Sequence, residues 1–588
     1  MPPLTRFAAP RFSLIATGLL WTLPFLQPHH RYPLTSFYSE WLAIVLGLVA
    51  LVLLLNRQHG RETQCPVTVL FILGFVALLA LQFAAGRIPY AGMALVAALY
   101  LGWAALLMIL GGALRRDLGL TTVVTTLAWF LLAAGCLNAI IALLQYFDIA
   151  TLFDPLIART GGAAVYGNLA QRNHFASYSM LAFASIAYLF ARGRIPGALA
   201  VAAAAPLAFT LGLSGSRSVL LYLAVVLALA VPFFRGTDPG GRRLLACVAV
   251  FLAGAVASQW IATLPGLAPT GGAVTTAQRY FSDVESVNQR IHLAAESWWM
   301  LLRAPLLGVG WGQFALHEFE YRSLFGLTAL GWPHHNAHNI VLHLLAVAGL
   351  LGASLIVGAA AFWLWGLRRA AFDLERWWLL VLIAVIGVHS LLEYPLWYAY
   401  FLGIAAVVLG LGSERNLTLR PGRAGAITVL LLLGTGVYFA ASALHGYREF
   451  ERLFARDAAV PEGNERAIIL SRAHREPMLR PYAELAISFD LRVDAERLRD
   501  KLALNGRVMR FAPIDVVVYR QAMLLALAGE PQAAARQLER AARVYPGELA
   551  TTVSTLRELA ARYPREMEPL LELAAAISAE RRAGRVDH

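Results

Sequence analysis

Two arginines and a run of histidines are the groups in this chain best able to do chemistry. Arg217 lies in Ser214-Gly215-Ser216-Arg217-Ser218, Arg290 in Asn288-Gln289-Arg290, and the histidines in His334-His335-Asn336-Ala337-His338-Asn339. Two guanidiniums can clamp an anionic pyrophosphate through charge-assisted bidentate hydrogen bonds and stabilise charge on a leaving phosphate. The plainer alternative is an interfacial arginine that snorkels and a loop arginine in solvent. A neutral imidazole is the natural general base for a hydroxyl at neutral pH, and Asn339 stands where it can fix the His338 tautomer. Here the alternative is interfacial histidines bonded to neighbouring loops. His334 and His338 are four apart, as in zinc helices, but no HExxH glutamate accompanies them, so neither metal nor another cofactor is expected. Two further polar sets are Gln171-Arg172-Asn173-His174 and the trio His389, Glu393 and Tyr394. A carboxylate at Glu393 can orient a histidine, neutralise an arginine or cap a helix.

These groups must be held by a membrane scaffold. The chain is 59% hydrophobic and 14% charged, with a mean hydropathy of +0.61, against roughly 25% charged in a soluble domain. The formal charge of +13 is scattered through short loops without a basic stripe, which argues against nucleic acid. Cys65, Cys136 and Cys247 lie in or beside apolar stretches with no metal-ligand spacing. Apolar stretches near 12–27, 41–55, 66–84, 90–113, 120–147, 173–191, 195–213, 216–234, 244–262, 338–366, 376–392, 395–412 and 424–445 predict about thirteen spans. The first is expected to be an uncleaved span. Arginines gather in alternate connections: Arg57 and Arg61, Arg115 and Arg116, Arg192 and Arg194, Arg242 and Arg243, Arg368 and Arg369, then Arg415, Arg420 and Arg423. The positive-inside rule puts these in the cytoplasm. The 263–337 loop, the histidine run and everything after about 446 then face outward.

The fold expected is therefore an all-α polytopic membrane protein. A transmembrane domain occupies 1–445, and a soluble helical domain occupies 446–588. Within the latter, 512–546 has the small-residue pattern of a tetratricopeptide-type helix–turn–helix, with Pro546 after the second helix. A plain helical bundle fits nearly as well.

The residues resemble a bacterial superfamily of O-antigen ligases, O-antigen polymerases and protein O-oligosaccharyltransferases. The resemblance is carried by Ser216-Arg217 opening a span, by Arg290 followed by Pro305-Leu306-Leu307-Gly308-Val309-Gly310-Trp311-Gly312, and by His335-x-x-His338-Asn339-x-x-Leu342 running into Gly349-Leu350-Leu351-Gly352. Tyr166-Gly167-Asn168 through Gln171–Ala176 and His389-Ser390-Leu391-Leu392-Glu393-Tyr394-Pro395-Leu396-Trp397-Tyr398 look like the pilin-type protein O-oligosaccharyltransferase branch. That branch commonly has proline where this chain has Arg172, which opens a role for Arg172 on donor sugar or phosphate, or none. The resemblance implies a metal-independent, inverting glycosyltransferase at the outer face of the bacterial inner membrane. Its donor would be a glycan on undecaprenyl pyrophosphate. Arg217 and Arg290 would hold the pyrophosphate and His338 would activate the acceptor, with His335 the rival base. A protein acceptor such as a pilin is favoured over lipid A–core, because a large outer helical domain has no obvious task with a saccharide acceptor. O-antigen ligase or polymerase is the second reading. A transporter or flippase is more distant, since the polar groups cluster at outer loops and no internal repeat is evident. An inert scaffold whose helical tail recruits partners is the last.

Overall fold

A computed structural model describes residues 4–55, 62–159, 165–235, 238–261, 264, 285–328, 333–420, 422–455 and 460–586. Arg57, Arg61 and most of the 263–284 stretch of the expected outer loop lie outside the described residues. The rest is almost wholly helical. Eight described helices are long and apolar enough to cross a membrane, and four more apolar helices (Thr68–Ala84, Gly197–Leu213, Ser218–Phe233 and Ala399–Leu411) are shorter.

The bundle is built around Arg172–Ala191, the least apolar of the eight although nearly all of it is buried. The two facts explain each other. A helix surrounded by protein can carry Tyr178, Ser177, Ser179 and Ser185, because helices rather than lipid receive their polar atoms. Ser185 Oγ is met by Trp378 Nε1 at 3.0 Å, and Tyr178 Oη donates to Trp21 O at 2.8 Å. Arg423–Phe454 is the opposite case, only 6% buried, and it touches the bundle mainly through Phe37–Leu55.

One expectation needs correction. The stretch 12–27 is not one helix: Leu4–Leu20 ends before a short Leu23–Leu26 helix, with Pro24 unable to continue the first. The expected all-α class holds, with one small ribbon added to the helices. Strands Thr63–Pro66 and Asn416–Leu419 pair antiparallel, Thr63 opposite Leu419, because two neighbouring connections satisfy each other's backbone groups. This ribbon marks the arginine-rich end of the bundle. There Arg115 and Arg376 both reach Glu414 at 3.1 Å, and Arg192 pairs with Glu375.

The helix Ile340–Leu367 is broken at Gly349, whose φ of +66° and ψ of −168° lie outside helical space. The Pro305–Gly312 turn crosses the break and takes over its backbone bonds. Val309 N donates to Ala346 O (2.9 Å), Gly310 N to Val347 O (3.1 Å), Leu350 N to Pro305 O (2.8 Å) and Leu351 N to Leu306 O (3.2 Å). Gln82 locks the joint by donating to Leu307 O and Val347 O at 2.6 and 2.8 Å. The approach leaves no room for side chains: a Cβ on Gly308 would lie 2.3 Å from Val347 C, and one on Gly349 2.4 Å from Leu306 O. Irregular backbone at membrane depth is tolerated where protein satisfies it in this way. Gly349→Val is therefore expected to destabilise by about 3 kcal/mol or more, read as a lower unfolding temperature in detergent.

The helices after Glu451 form paired layers. Asp515–Leu527 packs on Pro531–Val544, joined through Gly529 at φ +78°, and Leu549–Arg562 packs on Pro564–Val586. The helix Phe314–Phe325 joins this unit: Phe319 shares its core with Val518 and Leu538, and Ser323 receives Arg540 Nε at 3.2 Å.

Candidate active site

Four helix ends converge opposite the arginine-rich end: the N-termini of Arg172–Ala191, Ser218–Ala230 and Ile340–Leu367, and the C-terminus of Leu374–Leu392. Three of them are held by a polar side chain the sequence supplies. Gln171 Oε1 caps the first by accepting His174 N at 2.5 Å. Asn339 Oδ1 caps the third through Val341 N and Leu342 N at 3.0 and 3.1 Å. Asn339 also ties that helix to the fourth by donating to Leu391 O at 3.1 Å. Its side chain is thus committed to helix ends and does not fix the imidazole.

Glu393 does. His338 Nδ1 lies 3.1 Å from Glu393 Oε2, while Glu393 Oε1 accepts Asn173 Nδ2 at 2.9 Å. Asn173 Oδ1 in turn accepts Ser216 Oγ at 2.7 Å, and Ser216 Oγ meets Ser218 Oγ at 2.7 Å. A polar chain therefore runs from His338 to the segment flanking Arg217. Burial alone would raise the Glu393 carboxyl, but the His338 and Asn173 hydrogen bonds and the His338 charge overcome it and hold the group below its ordinary range. An ionised Glu393 fixes the proton of His338 on Nδ1 and leaves Nε2 to act on a hydroxyl. The backbone at His338 is left-handed, φ +52°, and its N–H is held by Asn336 Oδ1 at 3.0 Å. Such strain is common where a loop has to aim a side chain. Tyr394 stands edge-on to the imidazole, 5.2 Å between ring centroids.

Arg290, exposed on Glu285–Arg303, reaches the carbonyl of Leu392 at a long 3.5 Å, one residue from Glu393. Arg217 is half-buried and precedes the Ser218–Ala230 helix, between the two serines of the chain. Both expected arginines are thus attached to the surroundings of His338. Arg172 opens its helix half-buried, and its charge opposes the upward shift that burial gives the Tyr166 phenol.

The other histidines separate. His334 belongs to a second carboxylate: its Nδ1 lies 2.7 Å from Glu318 Oε1, its N–H donates to Oε2, and Gln289 Nε2 meets its Nε2 at 2.6 Å. Arg322 joins Glu318 at 2.8 Å and buried Glu296 at 3.1 Å. Burial, and then Glu318, push the Glu296 carboxyl up, so this network ties the loop down without piling up negative charge. Sequence reasoning missed Glu318, Arg322 and Glu296. The i, i+4 spacing of Glu318 and Arg322 was the available signal. His335 is exposed and sits beside Phe511, 6.3 Å between centroids. His389 and His174 lie deeper, 5.5 Å apart in a box with Phe401, away from His338. The expected trio is therefore split: Glu393 and Tyr394 reach the base, and His389 does not.

Beside Ile340 and Trp397 opens a cavity of about 510 Å³, lined by Phe75, Leu101, Trp311 and other apolar side chains between the helices. Trp311, from the Pro305–Gly312 turn, stacks on Trp397 at 5.7 Å.

A histidine–carboxylate pair thus stands at the mouth of the helical bundle, with an apolar cavity opening nearby. Known families resemble this chain over much of its length. A family model described as O-Antigen ligase matches residues 202–357, and one described as Protein glycosylation ligase matches 165–190. A third, described as Virulence factor membrane-bound polymerase, C-terminal, matches 377–559, running from the helix that carries Glu393 into the helical domain. Among individual proteins, the chain is similar to a General O-oligosaccharyltransferase of Acinetobacter baylyi, 27% identical over 402 residues that cover 68% of this chain and 69% of the relative. The resemblance to the O-antigen ligase superfamily, in its protein-glycosylating branch, is borne out.

Proposed function

We propose that the protein is an O-oligosaccharyltransferase that moves a preassembled glycan from undecaprenyl pyrophosphate to serine or threonine hydroxyls of proteins such as pilins. The observation that carries this reading is the His338–Glu393 pair at 3.1 Å, with its second carboxylate oxygen bonded toward the Arg217 segment. His338 Nε2 takes the acceptor hydroxyl proton as the oxygen attacks the anomeric carbon. The bond from that carbon to the pyrophosphate oxygen breaks, and its electron pair leaves on the phosphate. Arg217 and Arg290 neutralise the charge that gathers there. One displacement inverts the anomeric centre, and the protein groups suffice without a metal. The apolar cavity takes the carrier lipid.

In the same reading the chain makes about thirteen spans. The arginine-rich end faces the cytoplasm of the inner membrane, and the site and the tetratricopeptide-like domain at 446–588 face the periplasm. Reporter fusions at 238 and 500 should signal from the cytoplasm and the periplasm respectively; the other informative point, residue 280, lies outside the described residues. The decisive experiment is expression with a lipid-linked glycan pathway in cells lacking their own ligase and transferase. Glycan-shifted pilin or other periplasmic protein, with unmodified lipid A–core and no sensitivity to chelator, is the expected result. Glycan on lipid A–core alone would make the protein an O-antigen ligase.

Glu393→Gln should lower kcat by about 10²-fold, because the neutral amide no longer holds the tautomer or stabilises the imidazolium. Wild-type kcat in Glu393→Gln would remove Glu393 from this role. Since the Glu393 carboxyl is held low in the fold, its stabilisation is present above the unfolded carboxyl's pKa and is lost as pH falls through the folded value.

A further inference from the structure

The helical domain does more than stand beside the site. Its helices Arg480–Phe489 and Leu498–Phe511, with the turn before them, supply Met478, Pro481, Tyr482 and Phe511 to the apolar cavity, so that the cavity has a wall made by the domain. That wall is bolted in place. Buried Glu484 accepts Tyr90 Oη at 2.9 Å and both nitrogens of an Arg507 fork at 3.0 and 3.1 Å. Arg510 donates to Gly86 O and Arg87 O at 3.0 and 3.1 Å. At Gly92 the domain comes so close that a Cβ would lie 1.8 Å from Pro477 O.

Phe511 has the unusual position. It lines the cavity, yet its ring also stands 6.3 Å from His335, between Tyr482 at 5.2 Å and Tyr90 at 6.1 Å. His335 is three residues from His338, in the loop whose strained backbone aims the base. We propose that Tyr482 and Phe511 are specificity-determining residues for the carrier lipid, and that Phe511 and His335 are positioning residues that relay filling of the cavity to the histidine loop. This rests on the glycan-transfer reading for its chemistry but not for its binding step. Phe511 presents part of its ring to the cavity, where an isoprenoid chain would pack against it. The lipid then favours the arrangement in which Phe511 supports His335, and a ligand shifts such an equilibrium only by contacts made in one state. The transfer step would thereby be reserved for donors carrying their lipid.

The test uses the full chain in detergent or nanodiscs, with two donors of identical glycan and pyrophosphate, one on a long polyisoprenoid and one on a short chain. Wild type should prefer the long donor in kcat as well as KM. In Phe511→Ala and in His335→Ala the ratio of kcat/KM between donors should fall at least tenfold, and Phe511→Leu should restore much of it. An unchanged ratio, with both donors slowed equally, would reduce Phe511 to a structural residue and overturn the proposal. A long polyisoprenyl pyrophosphate carrying a diazirine on its chain should label the 478–511 segment in wild type. Labelling elsewhere overturns the proposal even if transfer is normal. Labelling there in a protein that transfers no glycan supports the lipid wall and overturns the glycosyltransferase reading instead.

Discussion

His338→Ala should abolish glycan transfer, a loss of about 10³-fold or more, while the protein still inserts and binds donor. Removing a general base costs about 10²–10⁴-fold, and here the hydrogen-bond chain from Glu393 through Asn173 to Ser216 loses its working end as well. The neighbouring histidines serve as internal controls. His334 is engaged with Glu318 and Gln289, and His335 faces Phe511, so neither can replace the missing imidazole without breaking its own contacts. His335→Ala should still transfer glycan, with the reduced preference for the long-chain donor as its defect, rather than the loss expected of His338→Ala. The measurement is single-turnover transfer from saturating lipid-linked donor, which separates chemistry from binding. Activity surviving in His338→Ala and vanishing in His335→Ala would move the base to His335.

Arg217→Lys and Arg290→Lys should each cost about 10²-fold or more in kcat although the charge is kept. A guanidinium offers a planar fork that matches two phosphate oxygens, and an ammonium is a point charge. Removing one preorganised donor to developing charge typically costs about 10²–10³-fold. The two sites should differ in kind. Arg217 is half-buried beside Ser216 and Ser218, so its replacement also disturbs the polar chain that ends at His338. Arg290 is exposed and, among the described residues, reaches Leu392 O at a long distance, so its loss should leave the fold intact and act on donor alone. Wild-type kinetics in Arg290→Ala would show it to be solvated surface.

How far the site was legible can be argued residue by residue. Arg217 and His338 stand out in the sequence because such groups are costly at the mouth of an apolar span, whereas Arg290, in the expected outer loop, stands out through its pairing with Arg217 and the family resemblance. The direction of Glu393 does not. Helix capping, charge neutralisation and histidine orientation all suit a carboxylate after an apolar helix, and only the fold brings in His338, 55 residues earlier. Asn339 was misread for a local reason. An asparagine directly before an apolar helix is the ordinary start signal, and that signal should have outranked tautomer control. The tripartite network of His334, Glu318 and Glu296 was hidden because its acids fall in a stretch read as loop. The break at Gly349 was invisible for the opposite reason: the apolar run 338–366 reads as unbroken helix, and what breaks it arrives from residues 305–312.

That joint has a mechanical consequence. Arg290 sits about fifteen residues before the joint on the Glu285–Arg303 helix, and His338 lies just ahead of the Ile340–Leu367 helix, about eleven residues before Gly349, giving lever arms of roughly 20 and 15 Å at 1.5 Å per residue. A tilt of about 5° at the joint would swing the base by more than 1 Å relative to the arginine, and misplacement on that scale can cost about 10²-fold in rate. The bonds across the joint are largely main chain to main chain, with Gln82 and Arg87 as side chains that brace it. The alignment of acid-binding and base groups is thus referenced to a hinge pin made of peptide groups. Drift at Leu306, Leu307 or Val309 need not loosen it, whereas a single methyl group at Gly308 would throw both arms out of true.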